Sequence, residues 1–417
     1  MFVHSLKWII AASFVGLIAA SPALGQLRIV TYNTANGSFS GNNIFPRTGM
    51  DVVLQAISDE VTNGFARQID VISFQEQAHP GFTTQGFVDL LDGIYGAGTY
   101  GRSTLLTGGS SIHQTLVYNT QTVQLIDEIV FGTFGGAAAA RQTARFQLRP
   151  VGYDNSADFY VYNDHYKAGT GSTNEARRVF EATTVRTDAD ALGEGTHIIY
   201  TGDFNIQTSA DSMYPIMLSA GAGQAFDPIS RPASWHNGFA SRDIHTQSPH
   251  DGSDGLTTGG MDDRFDFQLV TGEFLDDEGL SYISGSYHAF GNNGSTFDVA
   301  INNASNTYPL TADQLDDLAH VSDHLPVVAD YQVPAKMTAS LGPVAGSVIV
   351  GAGLNVDVTV ENTANVVAAI GADELDYSIS GTGAVTGSDS GTDPALGGGN
   401  VHAISLDTAT AGAKNGQ

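Results

Sequence analysis

The sequence contains no cysteine, which removes disulfides, thiolate-bound metals and thiol nucleophiles from the chemistry open to it. Basic residues are scarce: 17 Lys and Arg stand against 44 Asp and Glu, a formal charge of −27. Such a field repels polyanions, so nucleic acid or any phosphate-bearing partner has to be received in a locally basic or cation-bearing cleft. An acidic surface also keeps a protein soluble in salty surroundings. Beyond residue 25, no stretch approaches the ~18–20 consecutive apolar residues of a membrane helix.

What is present is globular. Of 417 residues, 41% are hydrophobic, enough for one large domain and a smaller one. Met1 to Gly25 carries His4 and Lys7, an apolar run from Trp8 to Ala20, and Ala23, Leu24 and Gly25 ahead of Gln26. That is the pattern of a secretory signal cut after Gly25. The expected product is an exported, extracellular or periplasmic monomer held together by packing and bound ions.

Short apolar runs each end in a polar residue. Leu27 to Asn33 (LRIVTYN) and Asp70 to Gln77 (DVISFQEQ) read as buried strands delivering Asn33 and Glu76, with a helix over 47–64 between them. Residues 114–119, 123–131 and 144–149 read as consecutive antiparallel strands. Asp158 to Asp164 (DFYVYND) opens into His165, Tyr166 and Lys167, and a helix follows over 173–192, capped by Ser172 or Thr173, with Arg177 and Arg178 in its first turns. His197 to Gln207 (HIIYTGDFNIQ) is a strand presenting Asp203 and Asn205 at its tip, followed by a helix over 209–220. Functional groups at strand tips mark a mixed α/β core.

Residues 231–261 form a long polar connection with Trp235, His236, His245, His250, Asp251 and Asp254. The spacing matches no compact ligand pattern, so a polar surface loop is expected over a second ion site, with Trp235 as its buried anchor. Strand alternation resumes over 264–271 after Asp262 and Asp263, and Asp323 and His324 precede a last strand ending near Tyr331. After Val333 and Pro334 the pattern becomes strictly alternating, as in Leu354 to Val360, the mark of a small all-β, sandwich-like module over 334–417.

Asn33, Glu76, His165, Asp203, Asn205, Asp263, Asp323 and His324 form an oxygen- and imidazole-rich set that suits Mg²⁺, Mn²⁺ or Ca²⁺. A divalent ion, a carboxylate to direct water and donors to developing charge are the needs of phosphoester hydrolysis.

The motifs TYN at 31, QE at 75, DHYKAG at 164, GDFN at 202, DDRFD at 262 and SDHLP at 322 resemble, in order and spacing, the endonuclease/exonuclease/phosphatase superfamily with the deoxyribonuclease I-like fold. The resemblance covers residues 27–333. It implies a four-layered α/β sandwich of two mixed sheets flanked by helices, with the site at one sheet edge. It implies Glu76 as principal metal ligand with Asn33 and Asp323 beside it, Asp203 orienting water, Asn205 holding phosphate, His165 and His324 as the imidazole pair, and Asp263 orienting His165. The segment HYKAG followed by Arg177 and Arg178 resembles the extracellular nuclease branch, in which Lys167 and an arginine would grip flanking phosphates. One departure stands out. The family pairs the second imidazole with a glutamate ahead of strand 114–119, where this chain has Ile112, His113 and Gln114, so the resemblance assigns His324 no carboxylate partner.

The function expected is a secreted Mg²⁺- or Mn²⁺-dependent nuclease. The alternatives are a phospholipid, sphingolipid or sugar-phosphate hydrolase on the same core, or a non-catalytic adhesion protein whose tail contacts cell surface or matrix.

Overall fold

The computed structural model describes residues 26–36, 44–108 and 112–417; the expected signal segment lies outside them. In chain order the elements are β1 (Leu27–Asn36), α1 (Met50–Asp59), the short strands β2 (Val61–Thr62) and β3 (Phe65–Ala66), β4 (Val71–Gln77), α2 (Gln85–Tyr95), β5 (Tyr100–Arg102), β6 (His113–Asn119), β7 (Val123–Phe131), β8 (Thr143–Pro150) and β9 (Phe159–His165). There follow α3 (Ser172–Leu192), β10 (His197–Asp203), α4 (Met213–Met217), β11 (Asp266–Val270), β12 (His288–Ala289), α5 (Ala312–Val321) and β13 (Val327–Tyr331).

One sheet has the order β12-β13-β1-β4-β6-β5 and the other β11-β10-β9-β8-β7. Each is antiparallel except at one central pair, where β1 runs parallel to β4 and β10 parallel to β9. These two parallel pairs bring four strand ends to one edge, the usual place for function in sheets of this kind.

Both faces of these strands are covered, which is why they read as nearly continuous apolar runs. Alternate residues serve different layers. Val30, Tyr32, Ile72 and Phe74 face α1, α2 and α5 through Leu54, Ile57, Phe87, Leu91 and Leu318. Ile29, Val71 and Leu116 point the other way and meet Phe146, Phe159, Val161 and Ile199 of the second sheet. That sheet's outer side, with Tyr162, Ile198, Tyr200 and Phe267, is covered by Ala182, Val185 and Ala189 of α3 and Met213 and Met217 of α4. The result is the four-layered α/β sandwich with two mixed sheets.

Toward the functional edge the layer between the sheets turns polar. Ser73 Oγ and Thr201 Oγ1 lie 2.6 Å apart, Gln75 Nε2 donates to Asn163 Oδ1 at 2.8 Å, and Asn163 Nδ2 donates to the carbonyls of Phe74 and Thr115 at 2.9 Å. Buried and hydrogen-bonded across the layer, these groups fix how the sheets align just beneath the site.

Several boundaries differ from expectation for local reasons. Helix α1 stops at Asp59 because Asn63 and Gly64, with φ of 53° and 91°, make the tight turn between β2 and β3. The helix expected over 209–220 shrinks to Met213–Met217, with Pro215 in its middle. Helix α3 begins at Ser172, with Gly171 in the capping position and no side-chain cap. Helix α5 was not anticipated, although Thr311 and Gln314 form a reciprocal capping box that announces it.

Past Val333 the chain is all-β: β14 (Met337–Leu341), β15 (Asn355–Asn362) and β18 (Asn400–Ser405) form one antiparallel sheet, and β16 (Leu375–Ser380) pairs with β17 (Ser388–Asp393). This part is fastened to the sandwich. Ala364, Val366 and Ala372 join the apolar cluster between the sheets, and Tyr153 donates its hydroxyl to the Pro334 carbonyl at 2.8 Å. No helix among the described residues is long and apolar enough to cross a membrane.

Candidate active site

The strand that ends in Asp203 reaches the edge through Gly202. Its φ is 140°, and a Cβ there would lie 1.9 Å from the Asp164 carbonyl oxygen on the neighbouring strand, so only glycine fits. Gly202→Ala is expected to cost about 3 kcal/mol, read as a lowered urea midpoint, with activity lost alongside folding.

Asp203 and His165 stand side by side in the β9/β10 register, and Asp266 lies across from Asp203 on β11. From the other sheet, Asn33 Nδ2 donates to Asp203 Oδ2 at 3.1 Å and to Glu76 Oε1 at 3.3 Å. Glu76 sits where the pairing of β4 slips against both neighbours, and its backbone takes φ 57°. A non-glycine residue in that region costs about 1 kcal/mol or more and is a device for aiming a side chain. His165 Nε2 lies 3.6 Å from Glu76 Oε1 and 3.5 Å from Asp203 Oδ2, and His324 Nε2 lies 3.8 Å from the same Asp203 oxygen. These gaps exceed direct hydrogen bonds, and they gather both imidazoles and two carboxylates at one point of the edge.

Asp203 accepts the Asn205 backbone N–H at 2.9 Å, and Asn205, at φ 52°, donates Nδ2 to the Tyr166 carbonyl at 3.2 Å. Asp323 Oδ2 accepts the Thr257 N–H at 2.8 Å, and Ser322 Oγ donates to the Asn33 carbonyl at 2.6 Å, tying the β1 and α5–β13 corners together.

Asp263 does not orient His165. It precedes β11 by three residues and pairs instead with His236, whose Nδ1 lies 2.9 Å from its carboxylate. The buried Nδ1 of His165 makes no hydrogen bond. The carboxylate that orients an imidazole is Asp266, at the start of the strand proper, whose Oδ2 accepts from His324 Nδ1 at 2.8 Å. It supplies the partner that the departure near Gln114 left unassigned. The carboxamide of Gln247 lies 2.8 Å from the other ring nitrogen of His324.

The two arginines expected to grip phosphate are engaged in building the site. Arg178 is buried, pairs with Asp211 at 2.6 Å and donates to the carbonyls of Lys167 and Gly169 at 2.8 Å. Arg177 donates to the carbonyls of Ala138 and Ala139 at 2.7 and 3.0 Å. Lys167 keeps its backbone fixed through its N–H to Glu181 at 2.9 Å, and its ammonium lies 2.7 Å from the Ala168 carbonyl. A cation not foreseen, Arg141, donates to the carbonyls of His165 and Tyr166 at 3.1 and 3.2 Å and bears electrostatically on Glu76 and Asp203. Its setting in GGAAAARQ carries no recognisable motif.

The electrostatics separate the two imidazoles. Burial, with Arg141 and His324 adding to it, holds His165 well below the usual histidine range. Burial also works against charge on His324, but Asp266 and Asp203 outweigh it and hold this ring well above that range. The surroundings thus bias the two rings in opposite directions, His165 toward its neutral form and His324 toward its cationic one. Burial pushes the Asp203 carboxyl up to about 7, with His324 opposing and Asp266 and Glu76 reinforcing. Glu76 is likewise raised, by burial first and then by Asp323.

Carboxylates that raise one another's pKa at a cleft of oxygen donors fit a hard divalent cation, which would relieve the repulsion. Glu76 would be its main ligand, with Asn33 and Asp323 adjoining. Glu76, Asp203 and Asp323 are not one of the tight ligand triads found among the described residues. An ion held by one or two carboxylates and several waters does not require one, and that is the habit of Mg²⁺.

No family model and no curated protein matches the chain. Solved structures do. An endonuclease/exonuclease/phosphatase family protein from Bacteroides thetaiotaomicron is 17% identical, with 73% of this chain and 97% of that chain covered and a TM-score of 0.46. The catalytic domain of human nocturnin with bound sulfate is 15% identical, covering 74% and 95%, with a TM-score of 0.45. A mannosyl-6-phosphatase from B. thetaiotaomicron is 18% identical, covering 73% and 99%, with a TM-score of 0.44.

Proposed function

We propose that this chain is a divalent-metal-dependent phosphoric ester hydrolase, and within that class a secreted nuclease using Mg²⁺ or Mn²⁺. The observation that carries the reading is Asp203, flanked within 3.8 Å by His165 and by His324, the latter paired with Asp266, with Glu76 beside His165.

The bound cation would supply charge neutralisation at the phosphate oxygens. Asp203 orients the attacking water and takes its proton. His324, held protonated by Asp266, donates to a non-bridging oxygen or the leaving oxygen as charge develops there. His165 and Asn205 contribute neutral donors to the phosphate, and Arg141 and Lys167 supply positive charge at the rim. The established ion pairs of Arg178 and the carbonyl contacts of Arg177 keep the rim loops in place. The domain division at about residue 333, with residues 26–333 as the hydrolase and 334–417 as an accessory module, belongs to the same proposal.

Nucleic acid as substrate is favoured by exposed aromatic rings that follow the two site strands in the chain, Phe45 after β1 and Phe82 after β4. Phe82 is 40% exposed, stacks on His79 with centroids 4.9 Å apart and lies 6.2 Å from Phe45. Exposed rings offer stacking surfaces for bases. A small phosphoester is the second reading, favoured by the engagement of Arg177 and Arg178, which leaves no long basic track among the described residues against a charge of −27. Phe82→Ala separates them: with a nucleic-acid substrate, KM is expected to rise about tenfold, matching the ~1–3 kcal/mol of one stacked base, while hydrolysis of bis(p-nitrophenyl) phosphate stays unchanged. Plasmid DNA, RNA, sphingomyelin and sugar phosphates assayed with Mn²⁺ give the substrate class; cleavage of lipid or sugar phosphate with intact DNA and RNA would overturn the nuclease reading.

A further inference from the structure

The loop between β10 and β11 meets α5 at a cluster that the catalytic arrangement does not use. His250, Asp251 and His320 place one ligand atom each within 4.8 Å of one another. His250 is fully buried, and its Nδ1 lies 2.7 Å from the Ala319 carbonyl, which can only accept, so Nδ1 carries a proton and Nε2 is the nitrogen that faces the cluster. That Nε2 makes no well-aligned hydrogen bond, its one neighbouring acceptor being Asp254 Oδ1 at 2.9 Å. His320 repeats the arrangement: Nδ1 lies 2.7 Å from the Asp316 carbonyl, and Nε2 lies 3.1 Å from Asp251 Oδ1.

The carboxylates are oriented from behind as well. Asp251 Oδ2 accepts from Asn302 Nδ2 at 3.2 Å, leaving Oδ1 for the cluster. Asp254 places Oδ1 2.9 Å from His250 Nε2 while its Oδ2 is held by Arg47 at 3.2 Å. Gly252 keeps the space open, since a Cβ there would come within 2.9 Å of His250 Nε2. Imidazoles whose outer nitrogen donates to a backbone carbonyl and whose inner nitrogen faces carboxylates are the arrangement that fixes metal-ligating histidines. Neighbouring ligands of a tetrahedral ion with ~2.0–2.1 Å bonds stand about 3.3 Å apart, and the His320–Asp251 pair, at 3.1 Å, comes close to that. The other triad, His236 with Asp262 and Asp263, lacks this feature, because both ring nitrogens of His236 have partners.

We infer that His250, Asp251 and His320 form a structural site for a borderline transition ion, Zn²⁺ by its two imidazoles and one carboxylate, with Asp254 standing beside His250. Such an ion clips the loop to α5. The same loop brings Gln247 to His324 and the Thr257 N–H to Asp323, so the clip steadies two groups of the catalytic edge from outside it. The site stands independently of the hydrolase reading.

The test is zinc content after equilibration with Zn²⁺ and gel filtration, for the full chain, for Glu76→Gln, and for His320→Ala and Asp251→Asn placed in the Glu76→Gln background to remove the catalytic ion. His320 and Asp251 are partly exposed, and circular dichroism verifies that the variants fold. One tightly held equivalent is expected in Glu76→Gln, with affinity at least tenfold weaker in both double variants. Cobalt in place of zinc should give the strong visible absorption of a tetrahedral ion, lost with His320→Ala. No zinc above background in Glu76→Gln, or undiminished zinc in folded His320→Ala, would overturn the inference and would show the cluster to be ion-paired histidines only.

Discussion

Asp203→Asn is expected to lower kcat for phosphoester hydrolysis by about 10³- to 10⁴-fold with little change in KM, the range for removing a positioned general base in a charge-sensitive site. The carboxamide preserves shape and can still meet Asn33 and the Asn205 N–H, so folding should survive. What disappears is the charge between His165 and His324 and the acceptor for the water proton. The acid limb of the pH profile should report the same group. The Asp203 carboxyl is held up to about 7 before any cation is counted. Activity should therefore climb as pH rises toward and through neutrality, with a bound cation moving that limb to lower pH. Steady-state kinetics with saturating Mn²⁺ check the first statement, and kcat against pH at two Mn²⁺ concentrations checks the second. A variant that keeps a tenth or more of wild-type kcat would remove Asp203 from the chemistry.

The second large effect belongs to Asp266, whose carboxylate touches no substrate in this arrangement and acts through His324. Its pairing holds His324 protonated against the cost of burial. Asp266→Asn removes the charge, so the His324 pKa falls and the cationic form is lost at lower pH. The alkaline limb of the profile should shift toward acid, and kcat at pH 8 should fall by about 10²-fold or more, given ~10²–10⁴-fold for a working acid or donor. The sign matters: His324 is charged below its pKa, so a raised value extends activity to higher pH and a lowered one curtails it. A variant with reduced kcat but an unmoved alkaline limb would mean that Asp266 supports the fold rather than the protonation state of His324.

The strands were legible because burial on both faces leaves apolar runs that end abruptly in polar residues, as at TYN, QEQ and GDFN. Positions at the tips of β1, β4, β9 and β10 follow from that pattern alone, and the structure brings Asn33, Glu76, His165 and Asp203 to one edge. Pairings across the edge were not legible. Asp263 and Asp266 both stand in DDRFD, and only the register of β11 against β10 tells which of them reaches an imidazole. The arginines misled for a similar reason: early-turn charges on an amphipathic helix read as solvent-facing, whereas Arg178 is drawn inward by Asp211 on α4's approach and by carbonyls of the 167–169 turn. Arg141 lies in a small-residue segment with no periodicity to place it. His250, Asp251 and Asp254 stood out in the loop but matched no compact ligand pattern, because His320 is contributed by α5 some distance along the chain and is brought in by tertiary packing.

The central claim is that a divalent cation at Glu76 and the Asp203 water position together hydrolyse a phosphoester. It is tested most directly by titrating Mn²⁺ into metal-free wild type and Glu76→Gln while following cleavage of a fluorescent oligonucleotide and of bis(p-nitrophenyl) phosphate. The account predicts saturable, chelator-reversible hydrolysis by the wild type, and in Glu76→Gln at least a hundredfold loss with weakened Mn²⁺ dependence. Hydrolysis that persists in excess chelator, or a Glu76→Gln titration superimposable on the wild type, would contradict it.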